Sequence, residues 1–412
     1  MQIDQSCPQC GAPVVLDETD RLLSCPFCRV RLFMEPGDFF RYILPPAPAN
    51  ASRLEMVYVP YGRFRGMVFD LRSPQGSERV WDLSYLAVSV GIFPATLGLR
   101  PQAMRLRPAV FQEENQCLEP TGGKAGQPAF APAADPGLRR PVRPGQTTVG
   151  AVRSLIYAPF YYHGGHWIDA VSDQPLEASR PPEQVTEFIW DREKGWAPAY
   201  IPALCPECGW DLAAEKESCI LFCPQCRSAW EPGGDRLPPL PCSTLGHSER
   251  PAGRYFLPFW RFRLPFEPAD FFQIPVERLL TLQAGQPPPW SPVKIRTQYW
   301  IPAFKIAPRI FLRLARMITQ SGDQGSGVKN GLPEMYYPVT LPAREALNGV
   351  EVVKADLDGE QIVLSSSLPA IAPEDWEKDL VFLPFQDTPY ELMHGPTGLG
   401  ISKNILNLGK YI

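Results

Sequence analysis

Two stretches decide how this chain folds: Cys7-Pro-Gln-Cys10 with Cys25-Pro-Phe-Cys28, and Cys205-Pro-Glu-Cys208 with Cys223-Pro-Gln-Cys226. In each, fourteen residues separate two C-P-x-C pairs, and every cysteine of the second quartet lies 198 residues after its counterpart. Cysteines two residues apart form tight knuckles, and four thiolates on two knuckles suit the tetrahedral preference of zinc. A closed four-sulfur shell leaves no position for a substrate, so the spacing predicts one structural Zn2+ per quartet. Proline after the first cysteine, and glycine in Cys10-Gly11 and Cys208-Gly209, suit a turn whose backbone amides point at sulfur.

The rest of the composition frames these sites. A chain of 412 residues fits two or three domains, each able to bury its own core. Lys and Arg total 40 against 44 acids, a net charge of -4, so no global positive field draws the chain to nucleic acid or anionic lipid. The first residues carry no basic, apolar leader pattern and no apolar run approaches the length of a membrane span, so the expectation is a soluble, cytoplasmic protein. Eleven cysteines without an export pattern read as reduced thiolates on metal, leaving Cys117, Cys219 and Cys242 as inert thiols. The 49 prolines are expected to exclude long helices and central strands, favouring short strands, edges and turns.

The 198-residue shift aligns more than cysteines. Tyr58-Val-Pro60-Tyr61-Gly-Arg63-Phe64-Arg65 falls on Phe256-Leu-Pro258-Phe259-Trp-Arg261-Phe262-Arg263. Leu155 to Phe160 and Leu380 to Phe385 echo each other at an offset of 225. A period this long indicates domain duplication, since solenoid repeats run about 20–50 residues. Aromatic and β-branched content predicts strands over 57–69, 156–162, 255–262, 299–306 and 380–385. Arg63 and Arg65 alternate with Phe64, so they share a strand face; either that face is solvated, or Arg63, Arg65, Arg261 and Arg263 form matched basic stripes for an acidic partner, phosphate or lipid headgroup.

Helices are predicted over 182–190, 373–380 and 308–320, and the last is amphipathic, with Ile310, Phe311, Leu314 and Ile318 on one face and Arg309, Arg313 and Arg316 on another. Gly- and Pro-rich composition predicts a mobile insertion over 112–150 and a flexible loop over 321–331. His163-Gly-Gly-His166 reads as a turn with exposed histidines, or as a metal or acid-base pair. No nucleophile elbow, dinucleotide fingerprint or phosphate-binding loop is present, so a non-enzyme is expected.

Both quartets, about 25 residues each, resemble the zinc-ribbon superfamily, in which such segments serve as structural or docking modules; by this resemblance the metal ligands are Cys7, Cys10, Cys25, Cys28, Cys205, Cys208, Cys223 and Cys226. The Pro-Phe-Trp-Arg-Phe-Arg stretch is loosely similar to uncharacterised bacterial zinc-ribbon proteins. Iron is the competing metal, as in rubredoxins, although fourteen residues between pairs is short for those sites. The expected organisation is mainly β with few short helices: ribbon 1 over 1–35, a β-rich module over 36–199, ribbon 2 over 200–235 and a second module over 236–412. Ribbon 1 has five acids against three arginines and ribbon 2 six acids against one lysine and one arginine, so both would repel phosphate. The leading expectation is a zinc-binding scaffold or adaptor with a protein partner. The alternatives are a nucleic-acid accessory factor, and peripheral membrane attachment through the 308–320 helix.

Overall fold

The computed structural model describes residues 1–51, 55–111, 116–120, 145–177, 181–186, 188–189, 196–246, 253–263, 298–322, 328–358 and 376–412. They form a mainly β protein. The chain divides into two units: residues 1–68 and 79–239 with Ile412 make the first, and residues 69–78 with 240–411 make the second.

The first unit is built on strands β1 (Phe40–Ile43), β2 (Val57–Asp70), β3 (Arg79–Leu86), β4 (Arg105–Pro108), β5 (Gln146–His163) and β6 (His166–Asp169). Five of them run in the order β3-β2-β5-β1-β4, with β6 hairpinned onto β5. The second unit is built on β7 (Cys242–Leu245), β8 (Arg254–Arg263), β9 (Gln298–Pro302), β10 (Val328–Asn330), β11 (Glu377–Asp387) and β12 (Glu391–His394). Their order is β9-β8-β11-β7-β10, with β12 on β11. The directions agree as well. β1 runs parallel to β5 and β7 parallel to β11. β1–β4 and β7–β10, β2–β3 and β8–β9, and β5–β6 and β11–β12 are all antiparallel.

Proline lies inside the central strands, against the expectation that it would be confined to edges. Pro60, Pro159 and Pro258 each sit one residue beyond the end of a neighbouring strand, and their carbonyls accept from the amides of Ala87, Ala170 and Ala303. A residue that cannot donate is tolerated where the adjacent ladder has already ended.

Several predicted elements change. Residues 146–150 belong to β5 rather than to an insertion, and 328–330 form β10 rather than loop; 112–115, 121–144 and 323–327 lie outside the described residues. Over 377–380 the chain is strand, because Leu380 to Phe385 is the apolar centre of β11, and 373–375 lies outside the described residues. Helix over 182–190 reduces to the single turn Glu183–Thr186, and the 299–306 strand stops at Pro302.

The second unit carries the two long helices, α1 (Pro308–Ser321) and α2 (Ala343–Asp358). Proline begins α1 where its missing N–H is harmless. Its apolar face, Phe311, Leu314, Ala315 and Ile318, is buried, and α1 packs on β9 and α2. That burial removes the face a membrane-surface helix would use. Among the described residues no helix is long and apolar enough to cross a membrane.

Candidate metal centres

Each quartet closes into a cluster with all four Sγ atoms within 4.8 Å of one another. Cys7 and Cys28 lie 3.7 Å apart and Cys10 and Cys25 3.7 Å apart; Cys205–Cys226 and Cys208–Cys223 are 3.6 and 3.5 Å. Four sulfurs at about 2.3 Å from a central ion stand roughly 3.8 Å from one another in a tetrahedron. The clusters therefore have the donor set and the spacing to hold a metal ion. They are the groups of three or more metal-ligating side chains found among the described residues.

One backbone pattern recurs at all four knuckles. The amide after the second cysteine donates to the carbonyl of the first: Gly11 to Cys7, Arg29 to Cys25, Gly209 to Cys205 and Arg227 to Cys223. The amide of the first cysteine then donates to the residue five positions on, namely Ala12, Val30, Trp210 and Ser228. This turn needs a left-handed residue after the second cysteine, and Gly11, Arg29, Gly209 and Arg227 have φ of 74°, 62°, 71° and 61°. Glycine reaches that region freely, whereas arginine is strained there. The first cysteine of each pair is buried and the second is exposed. The Cys25 thiol is held down to about 6, chiefly by the backbone N–H of Cys28. Burial pushes Cys205 up, but the amides of Cys208 and Glu207 and the neighbouring thiols bring it down to about 6. Amide donors favour the thiolate, which is the metal-binding form.

The two clusters differ outside the sulfurs. Ser228 Oγ lies 3.0 Å from Cys226 Sγ and 3.8 Å from Cys205 Sγ, and it accepts from the Trp230 indole N–H at 2.9 Å. Because the indole occupies a lone pair, the hydroxyl proton is available to sulfur. Val30 holds the same place in ribbon 1 and has no hydroxyl to offer. Sequence reading missed Ser228, although aligning the quartets at 198 places it opposite Val30.

The ribbons share one unit, whereas spacing had grouped residues 200–235 with the module that follows. Ala199–Pro202 pairs antiparallel with Arg31–Glu35, which pairs with Leu22–Ser24. Arg31 donates to the carbonyls of Leu212 at 2.8 Å and Ala214 at 3.1 Å, and the Lys216 carbonyl accepts from the amides of Arg21 and Leu22. Leu22 and Phe33 join Ile201, Leu212, Leu221, Trp230 and the ligands Cys205 and Cys223 in one core. Their strand neighbours Leu23 and Met34 point the other way, into the core that holds Cys7, Cys25, Tyr42 and Val59. Ribbon 1 is thus apolar on both faces, one against its own sheet and one against ribbon 2. The sheet also continues past β4 into ribbon 1, since Gln2 and Ile3 pair with Arg105 and Leu106.

Of the four arginines expected to form basic stripes, Arg63 and Arg261 are bound within the protein. Arg63 is 1% exposed. Its Nε and Nη2 donate to the two Glu18 oxygens at 3.2 Å, and its Nη1 pairs with Asp82. Both faces of β2 are covered, so strand alternation left no solvent side for that guanidinium. Arg261 is mostly buried, donating to Asp379 Oδ1 at 3.0 Å and Oδ2 at 2.5 Å. Half-exposed Arg263 faces Glu377 at 3.4 Å, and Arg65 is half-buried. His163 and His166 are exposed and pair across the β5–β6 hairpin, whose tip is Gly164 and Gly165 with φ of 57° and 87°. That is the two-residue turn favoured by right-handed strand twist. Cys117 is buried, Cys219 and Cys242 are half-buried, and burial pushes Cys242 up to about 11.

Comparison of the chain with protein-family models, curated proteins and solved structures finds no match. The likeness to zinc ribbons therefore rests on the residues and geometry given above.

Proposed function

We propose that the protein is a non-enzymatic scaffold or adaptor whose two ribbons each hold one structural zinc and which acts through protein–protein contacts. The observation that carries this reading is the closed pair of four-sulfur shells, which can fix an ion but offer it no open coordination position. Support for a protein partner comes from the exposed side chains beside the knuckles. Phe27 lies within the second knuckle of ribbon 1 and is 68% exposed; Trp210 follows the first knuckle of ribbon 2 and is 56% exposed. Large aromatics of this kind are enriched at protein interfaces, while the net acidity of both ribbons opposes binding to a polyanion. The matching strand order of the two units supports a further part of the reading, that they descend from one ribbon-plus-sheet ancestor.

Elemental analysis of the purified full-length protein tests the metal: two zinc ions per chain and no visible colour are expected, and iron absorbance would replace zinc by iron. Crosslinking in native lysate tests the partner. A stoichiometric protein adduct lost on Phe27→Ser with Trp210→Ser is expected, and no adduct with either protein form would end the adaptor reading.

A further inference from the structure

The β5–β6 hairpin carries its two histidines directly opposite each other at the tip. Its antiparallel ladder is unbroken from Phe160–Asp169 through Tyr161–Ile168 and Tyr162–Trp167 to His163–His166. Residues directly opposite in such a ladder share a face, with Cβ atoms about 4.5–5.5 Å apart, and successive pairs alternate between the two faces. Tyr162 and Trp167, whose rings lie 5.6 Å apart edge to face, pack into the core. The next pair, His163 and His166, therefore points to the other face, where both side chains are exposed. A Cβ built at Gly164 or Gly165 would meet nothing within 4 Å, so the space at the tip is open.

A third segment extends the row. β6 also pairs antiparallel with Gln174–Pro175, and the Leu176 amide donates to the Trp167 carbonyl at 2.7 Å. Leu176 packs on the same core as Tyr162 and Trp167. One step further along that register stands Glu177, opposite His166, on the face of the histidines and exposed. Among the described residues none of these three side chains makes a hydrogen bond or an ion pair.

Two imidazoles about 5 Å apart at Cβ can turn a nitrogen each toward one ion, at the roughly 2.0–2.1 Å of a metal–imidazole bond. Imidazole suits zinc, copper and nickel, whereas magnesium and calcium take oxygen ligands. A ligating histidine commonly donates its other ring N–H to a carboxylate, which fixes the ring, and Glu177 is the carboxylate beside His166. Two protein ligands leave further positions to water, the opposite of the closed sulfur shells.

We propose that the tip of the β5–β6 hairpin is a third metal site, which takes an exchangeable divalent transition-metal ion on His163 and His166 while Glu177 orients the His166 ring. An ion held by two imidazoles exchanges with solvent, so dialysis strips it and leaves the two ribbon ions in place. Calorimetric titration of the full-length, untagged protein, with zinc already on both ribbons, tests this with Ni2+, which does not oxidise thiolates. One Ni2+ should bind per chain, with both zincs undisplaced by elemental analysis, and Mg2+ should not bind. His163→Gln and His166→Gln should each weaken Ni2+ at least tenfold, and Glu177→Gln about tenfold, the low end for an outer-shell partner. The melting temperature of the zinc-loaded protein should be the same in all three variants, because the side chains are exposed. No Ni2+ bound beyond the ribbons, Ni2+ binding that survives His163→Gln with His166→Gln, or an affinity that Glu177→Gln leaves unchanged would overturn the assignment.

Discussion

The two units contain the same five-strand order, yet only the first carries ribbons. In the first, the sheet runs on past β4 into residues 2–6 and 13–17 of ribbon 1. In the second, the described strands end at β10, and helices α1 and α2 pack beside β9. The buried arginines of the two sheets are also closed differently. Arg63 in the first sheet is closed by Glu18, a ribbon residue, whereas its counterpart Arg261 is closed by Asp379 on the adjacent strand of its own sheet. At the position 198 residues after Glu18 stands Lys216, which cannot neutralise an arginine. Lys216 instead gives its backbone carbonyl to ribbon 1.

The largest expected effect breaks this comparison or confirms it at once. Metal binding and folding are one equilibrium in such ribbons, with apparent binding free energies of about 10–16 kcal/mol in small zinc domains. A strong chelator should therefore raise amide exchange over residues 1–35 and 200–239 together, because the ribbons share a core, and leave β8 and β11 protected. Equal loss of protection in β8 and β11 would falsify the separation of the ribbons from the second sheet. Removing ligands of ribbon 2 alone, with Cys205→Ser and Cys208→Ser, should still expose Leu22 and Phe33.

Next in size is the buried pair. Glu18→Gln leaves the Arg63 charge without half of its partners, and breaking a buried pair in this way costs about 3–5 kcal/mol. Urea denaturation should show that loss in the first unit's transition. Asp379→Asn, at a pair with more solvent access, should cost less in the second; equal costs would mean that ribbon attachment adds nothing to the charge network.

How much of this was legible in the sequence depends on the range of the interaction. The knuckles were, because Cys-Pro-x-Cys fixes its geometry within six residues. Strand positions were too, since Tyr58 to Arg65 and Phe256 to Arg263 carry aromatic and β-branched residues whatever they pack against. The docking of ribbon 2 on ribbon 1 was not, because the pairing of Ile201 with Phe33 joins residues far apart in the chain and leaves no local pattern. Arg63 misled for the same reason, as alternation shows which residues share a face but not whether that face is covered. Helix α2 was legible in principle. Ala343, Ala346, Val350 and Val353 keep helical spacing and are buried, but Gly349 and the valines obscured the signal.

Smallest, and sharpest for the ribbons themselves, is the difference at Ser228. With the indole of Trp230 on its oxygen, the Ser228 hydroxyl can donate to Cys226 and hold its charge; ribbon 1 has Val30 there and must do without. Outer-shell donors of this kind are worth about 10–100-fold in metal affinity. Competition with a zinc-binding dye should thus find two classes of site, with ribbon 2 the tighter. Ser228→Val should bring ribbon 2 down toward ribbon 1 without altering ribbon 1. The left-handed residues give the matching control: Arg29→Gly relieves about 1 kcal/mol of backbone strain at the other ribbon, raising its stability to urea while leaving the hydroxyl-dependent gap in affinity in place. If the two sites titrate alike before any substitution, the hydroxyl is serving the turn and the sulfur shells are equivalent.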